Sequence, residues 1–309
     1  MKSYLYYICD VFTDKRFGGN QLAVLPDAQG LTSEQMQQIA REFNFPESTF
    51  VFPAELGNTR KVRIFTPSTE VPFAGHPNVG TAFLLAKTGQ LDTQDKKQLL
   101  QTITFEEKAG LVPISIAQQA DGAIFCELNA PEAVSLGQNI DASLVAEALS
   151  LNLDDIQLST HQPIVASVGL PFLIVELMSL DALARARAKL DAFEKIQAIG
   201  VTPDIHLYVK RDEASKAELQ FDIQARMFAP FDGVPEDPAT GSANCALAGL
   251  LAHYSSLQEG MLHWTIAQGV EMGRPSVLKA RALKQAGQVI DTWIGGNSVL
   301  VSKGELYLD

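Results

Sequence analysis

The 309-residue sequence predicts a mixed α/β protein in which one unit is used twice. Three observations carry this. The first is an internal repeat: Arg63-Ile64-Phe65-Thr66-Pro67, Val71-Pro72, Gly75-His76-Pro77-Asn78 and Ala82-Phe83-Leu84-Leu85-Ala86 recur in the same order as Arg226-Met227-Phe228-Ala229-Pro230, Val234-Pro235, Gly241-Ser242-Ala243-Asn244 and Ala248-Gly249-Leu250-Leu251-Ala252. The offset is 163 (226 minus 63) through the Val-Pro pair and 166 (241 minus 75) after it, so the second copy carries a three-residue insertion within Glu236-Asp237-Pro238-Ala239-Thr240. A period this long, seen twice, marks a duplicated unit and not a solenoid. The second observation is that short runs rich in Val, Ile, Phe and Tyr outnumber amphipathic helical patterns. The third is composition: 46% apolar and 19% charged residues are ordinary for a globular chain, and the length allows two domains with a core each.

The elements follow in order. Tyr4–Val11 and Leu22–Leu25 read as strands, separated by turn chemistry at Phe17-Gly18-Gly19-Asn20. Ser33 and Glu34 open a helix whose Met36, Ile39, Ala40 and Phe43 share one face, and Pro46 ends it because it disfavours the α conformation at Phe45. Glu47 then precedes a strand over Ser48–Phe52, and Val62–Phe65 is another. Val79–Leu85 and Ala243–Leu251 are apolar nearly all round, so both are expected as helices buried within their own sheets. Strands are expected at Leu99–Phe105, Leu111–Ala117, Ala123–Leu128, Gln162–Val168, Phe172–Leu177, Asp204–Val209 and Leu219–Met227, and a surface helix over Leu180–Leu190. Gln288–Ile294, Ser298–Ser302 and Glu305–Leu308, punctuated by Gly295-Gly296, read as a closing strand meander. No Pro/Gly-rich linker divides the chain. The expected domains are residues 1–118, completed by the last strand at about 296–309, and residues 119–295.

Several functions are excluded early. A net charge of −12 argues against binding a phosphate backbone, which needs clustered Lys and Arg, so nucleic acid is not expected as a partner. The segment Met1–Ile8 has one basic residue and a short apolar run that continues into Cys9-Asp10-Val11 with no cleavage pattern. No run approaches the roughly 20 apolar residues of a membrane span. The chain is expected in the cytoplasm, away from membranes. Cys9, Cys126 and Cys245 are odd in number and unpaired in spacing, which fits buried thiols, with Cys245 near the second polar cluster. The five histidines form no HExxH-like pair, and no metal is expected.

Both repeat copies run from a Gly-containing turn straight into an apolar helix. Backbone amides exposed at such a helix start favour an anion, and the paired occurrence suggests a small carboxylate ligand. Taken alone, each residue also has a plain structural reading. Gly75 and Gly241 suit tight turns, Glu70 a solvated loop, Asp237 an Asx-type turn and Ser242 a cap, while His76 at its helix start can either face a ligand or be a satisfied structural residue.

The motifs Asp10-Val11-Phe12-Thr13, Gly19-Asn20, Asn44-Phe45-Pro46-Glu47-Ser48-Thr49-Phe50, Phe65-Thr66-Pro67 through Gly75-His76-Pro77, Glu236-Asp237-Pro238-Ala239-Thr240-Gly241-Ser242 and Gln268 through Arg274-Pro275-Ser276 resemble the PhzF family of phenazine-biosynthesis isomerases. The resemblance implies a diaminopimelate-epimerase-like fold of two pseudo-symmetric domains, each a curled mixed sheet around one central helix. It implies a cofactor-independent isomerase acting on a small carboxylate-bearing, cyclic or unsaturated substrate, and a homodimer. By the same resemblance Glu47 is the proton-shuttling acid/base and His76, Asp237 and Ser242 complete the catalytic set, converging on one cleft. Asn20, Gly75, Pro77, Thr240 and Gly241 then bind the substrate. Pro46 and Ser48 depart from the family's usual Ser and Thr around the glutamate. Two other readings compete. A two-cysteine racemase of the same fold is disfavoured because Gly75-His76 and Gly241-Ser242 offer no thiol, and a silent small-acid-binding or interaction protein would have no need of Glu47, His76 and Asp237 together.

Overall fold

The computed structural model describes residues 2–91, 100–211 and 221–308. The chain divides into two compact units, residues 1–129 with 295–309, and residues 130–294. The first contains β1 (Lys2–Val11), β2 (Asn20–Leu25), α1 (Ser33–Phe43), β3 (Glu47–Phe52), β4 (Arg60–Phe65), β5 (Glu70–Val71), α2 (Gly75–Lys87), β6 (Leu100–Glu107), β7 (Gly110–Gln118) and β8 (Ile124–Asn129). The second contains β9 (Ser135–Asn139), α3 (Ala142–Ala148), β10 (Ile164–Ser167), β11 (Pro171–Glu176), α4 (Leu180–Arg185), α5 (Leu190–Ala198), β12 (Ile205–Lys210), β13 (Ile223–Ala229), β14 (Val234–Asp237), α6 (Gly241–Tyr254), β15 (Gly260–Gln268) and β16 (Ser276–Gln285). One long strand, β17 (Gln288–Leu308), contributes residues to both.

In the first unit β1 pairs antiparallel with β17 and β2, β2 runs parallel to β3, β3 antiparallel to β4, β4 parallel to β6, and β6, β7 and β8 form antiparallel hairpins. Pairing of β8 with β17 closes eight strands into a barrel. The helix α2 lies inside it against β1, β2, β3, β7 and β8. Eleven successive residues from Gly75 to Leu85 are buried, as an all-apolar helix requires. Gly80 permits the close approach, since a Cβ there would meet Leu22 Cδ2 and Val11 Cγ2 at 2.6 Å. Outside the barrel, α1 covers Leu25, Phe50 and Phe65 with Met36, Ile39 and Ala40. Its start is Thr32, whose hydroxyl takes the Gln35 amide in a capping box, and its end is Asn44 in the left-handed conformation.

The second unit repeats this order of pairing. The β9, β10 and β11 pairs are antiparallel, β11 and β12 parallel, β12 and β13 antiparallel, β13 and β15 parallel, and β15 and β16 antiparallel. The hairpin from β16 into β17 turns at Ala286 and Gly287, both at positive φ, the geometry of a two-residue hairpin turn. The helix α6 packs inside against β10, β11, β15 and β16, and α3, α4 and α5 cover the outer face of β11 and β12. Among the described residues no helix is long and apolar enough to cross a membrane.

Several expectations need correcting. The expected helix over Leu180–Leu190 is broken into α4 and α5, because Ala186 turns extended and the amides of Arg187 and Lys189 bond to Leu149 and Ala148 carbonyls at the end of α3. Both pieces lie on the surface, with Ala182 and Leu183 turned into the core and Asp181, Ala184 and Arg185 exposed. The closing meander is one continuous strand. Gly295 and Gly304 serve close approach there instead of turns: a Cβ at Gly295 would meet Cys126 O at 2.7 Å, and one at Gly304 the Tyr6 ring at 2.6 Å. The strands β9, β15 and β16 and the helices α3 and α5 were not expected. The division after residue 129, not 118, follows from β8, which pairs with β7 from Ile114 to Gln118. Of the strand starts at Leu99 and Leu219, residues 99, 219 and 220 lie outside the described residues.

Candidate active site

In the first unit, Glu47 opens β3 and faces inward with Thr49, whose Oγ1 lies 2.8 Å from Thr81 Oγ1 on α2. At the start of α2, His76 Nδ1 stands 3.4 Å from Glu47 Oε2. The His76 ring is 4% exposed, and burial pushes its pKa down to about 3, against a backbone hydrogen bond to Gln21 that pulls the other way. The contact is therefore a carboxyl group beside a neutral imidazole, not an ion pair.

The first turn of α2 supplies the rest of this cluster. Ala74 precedes it without a side-chain cap, and the turn holds no acidic residue. Pro77 lacks an amide, a tolerable loss at a position with no intrahelical partner. Gly75, His76 and Pro77 are all buried, and Asn20 is fully buried at the head of β2, opposite Val11.

In the second unit, Asp237 closes β14 and is 8% exposed; Thr240 Oγ1 donates to its Oδ2 at 2.5 Å. The loop between them is fixed by Gln268 at the end of β15, whose Nε2 donates to Asp237 O at 2.7 Å and whose Oε1 accepts from Asn244 Nδ2 at 2.6 Å. Thr240 precedes α6 but does not cap it, since its hydroxyl is turned to Asp237. Gly241 is buried and Ser242 half-buried in an uncapped first turn that again lacks acidic residues. Each unit thus presents a helix start with free amide capacity, the arrangement that attracts an anion.

Sequence reasoning missed two parts of these clusters. Glu70, read as a solvated loop carboxylate, is held by Arg63 at 2.7 and 2.8 Å, and this pairing keeps its carboxyl below the usual range. The counterpart pair is Arg226 with Glu236, at 2.8 and 2.9 Å. The correspondence is hidden in sequence because the constant offset aligns Glu70 with Gly233. Gln268 was legible only as a motif member. Cys245 faces Thr292, its Sγ 3.4 Å from Oγ1, on the buried side of α6. Cys9 and Cys126 are fully buried, and burial raises both thiols far above their ordinary range. Among the described residues no group of three or more His, Cys, Asp or Glu is placed to hold a metal ion.

A curled mixed sheet around one central helix, present in both units and closed into a barrel in the first, with ionisable side chains gathered at the helix start, defines the epimerase-like α/β isomerases. The chain belongs to the phenazine biosynthesis-like (PhzC-PhzF) family, whose sequence model matches residues 9–304, and it is an isomerase. It is 35% identical over 317 residues, covering all of both chains, to an uncharacterized isomerase of Mesorhizobium japonicum. It is 33% identical over 304 residues to the trans-2,3-dihydro-3-hydroxyanthranilate isomerase of Pseudomonas fluorescens, covering 98% of this chain and 99% of the relative. The crystal structure of a Bacillus anthracis phenazine biosynthesis protein of the PhzF family matches with a TM-score of 0.88 and 26% identity over 100% of each chain.

Proposed function

We propose that the protein moves a proton between two carbons of a small carboxylate-bearing, unsaturated ring substrate, with Glu47 as the carrier. The Glu47 carboxylate takes a proton from one carbon, the electron pair of that C–H bond shifts the double bond, and the resulting carboxylic acid returns the proton to a second carbon. Atoms and charge balance within substrate and side chain, so no redox partner or cofactor is needed. The observation that carries this reading is the Glu47–His76 contact, in which a buried, neutral imidazole lies against a carboxyl group at an uncapped helix start. His76 orients that carboxyl group. Asp237 and Ser242 bind and assist, and the amides after Gly75 and Gly241 take the substrate carboxylate, with Asn20, Pro77 and Thr240 shaping the two binding turns. Relatives named trans-2,3-dihydro-3-hydroxyanthranilate isomerase support a dihydroaromatic acid as the substrate class.

The test is deuterium incorporation from heavy water into trans-2,3-dihydro-3-hydroxyanthranilate, comparing wild type, Glu47→Gln and Cys245→Ala. Wild type and Cys245→Ala should exchange. Glu47→Gln, nearly isosteric, should bind but lose roughly 10²–10⁴-fold or more in rate, the range for general acid/base catalysis. Loss of exchange in Cys245→Ala would move the chemistry to the thiol, and tight binding without exchange in any variant would make this a binding protein.

A further inference from the structure

The first unit buries a carboxyl group that the proton shuttle does not use. Glu107 ends β6, one residue past the Lys61–Glu106 pair and therefore level with Val62. In the second unit the matching place, level with Ala225, belongs to Gln268 (225 minus 62 is the repeat offset of 163). Gln268 anchors Asn244, and the Asn244 amide in turn donates to Thr240 O at 2.9 Å, tying down the first turn of α6. Asn78 makes the same tie in the first unit, donating to Ala74 O at 3.0 Å.

The two copies differ in how the asparagine oxygen is served. Asn244 Oδ1 lies 3.2 Å from His206 Nε2. The residue at the register position of His206 in the first unit is Thr49, which pairs with Thr81 instead. Among the described residues Asn78 Oδ1 is thus buried without a donor, and both Glu107 oxygens are buried without a well-formed hydrogen bond. A buried carboxylate with no counter-ion and no well-formed hydrogen bond is costly, and one proton on Glu107 would remove its charge.

We propose that Glu107 is carried as an uncharged carboxylic acid that accepts from the Asn78 side-chain amide, as Gln268 Oε1 accepts from Asn244 Nδ2, and so holds the first turn of α2, with Gly75 and His76, in place. Glu107 is then a positioning residue for the isomerase. Burial pushes its carboxyl up to about 8, with only the Asn78 amide favouring the charged form. Glu107 lines a cavity of about 380 Å³ whose other charged groups are engaged elsewhere: Arg63 with Glu70, Lys61 with Glu55, and Glu106 with the amides of Glu55, Leu56 and Asn58. Lys108 lines the same cavity. Like Gln268, a neutral Glu107 fits a site in which no cation among the described residues is dedicated to it.

The test has an arm that does not depend on turnover. The infrared difference spectrum between wild type and Glu107→Gln should show a protonated carboxyl stretch at pH 6 that vanishes as pH rises through about 8; a carboxylate band at pH 6 overturns the proposal. The His76 ring resonances should move in Glu107→Ala and return to their wild-type positions in Glu107→Gln. If they move equally in both, or in neither, Glu107 does not position α2. The functional arm rests on the proton-shuttle reading and measures deuterium exchange into trans-2,3-dihydro-3-hydroxyanthranilate. Glu107→Ala should lose roughly 10–100-fold, as small misplacements of reacting groups do, whereas Glu107→Gln should retain most of the rate at pH 7 and lose the alkaline fall near pH 8. A Gln variant as slow as the Ala variant refutes positioning by a neutral group. Absence of exchange in wild type would remove the shuttle reading and leave the spectroscopic arm to decide Glu107.

Discussion

The repeat provides a matched pair of ion bridges for testing what burial does to the same interaction. Arg63 and Arg226 occupy equivalent places on β4 and β13, and each binds a glutamate through two nitrogens. Arg63 and Glu70 are each 23% exposed, whereas Arg226 is 4% and Glu236 19% exposed. Arg226 also donates to Leu183 O at 2.7 Å and Ala186 O at 3.0 Å, and its guanidinium lies 4.8 Å from the centre of the Phe228 ring. Arg226→Met keeps the stem but leaves a carboxylate without its counter-ion and two carbonyls without their donor, a loss of about 3–5 kcal/mol. Arg63→Met removes a pair that water can partly replace, at about 1 kcal/mol or less. Thermal unfolding of the two variants should therefore differ widely, with melting points lower by roughly 6–20 °C and at most roughly 4 °C respectively. Glu236→Gln added to Arg226→Met should recover part of the loss, because the cost is mainly the unpaired charge. Equal shifts for Arg63 and Arg226, or no recovery in the double variant, would refute the argument from burial.

Two further predictions concern stability. His76 and His206 titrate near 3 and 4 in the folded chain against 6.5 for an exposed histidine, so the unfolded chain binds more protons in the window between, and stability falls as pH drops from 6.5. Urea unfolding at pH 6.5 and 5 should show a loss of roughly 1.5 kcal/mol per histidine, smaller by that amount in His76→Gln or His206→Gln; an unchanged pH slope in either variant would contradict the assignment. Gly295→Ala should destabilise by roughly 1–3 kcal/mol, since its Cβ would lie 2.7 Å from Cys126 O and 2.8 Å from Glu127 Cβ, and a neutral result would mean that β17 can move away from β8.

Much of this fold was legible because α2 and α6 and the strands β4 and β13 carry the repeat in side chains that cannot be exchanged cheaply. What stayed hidden had physical causes. The strand β16 buries Ser276, Leu278, Ala280, Ala282 and Lys284 on one face, so small and polar residues blunt its apolar alternation. The end of α4 is set by carbonyls of α3, a tertiary contact that no local pattern announces. Glycines 295 and 304 carry the composition of turns but serve close packing. At the site, Glu47 with His76 and Asp237 with Thr240 were visible as motif residues. Glu107 was not, because a glutamate at a strand end looks solvated until its neighbours in space are known.

The comparison of the two copies separates scaffold from chemistry. Asn78 and Asn244 keep one task, donating to the carbonyl four residues back, and so hold each helix start in a form that leaves its amides uncapped. Around that constant the ionisable groups have been redistributed. The histidine lies on the helix in the first unit, as His76, and on the strand in the second, as His206, and burial holds both neutral. By strand register Asp204 stands where Glu47 stands, its carboxyl pushed up to about 7 by burial and by the nearby charge of Asp232. The shorter Asp204 side chain has Ser242 at the helix position of His76, and so has no imidazole there to orient it. A duplication of this kind permits such divergence because the sheet and its central helix depend on apolar packing, while the ionisable groups sit at one helix end, where exchanging Gln for Glu or Ser for His leaves the core intact.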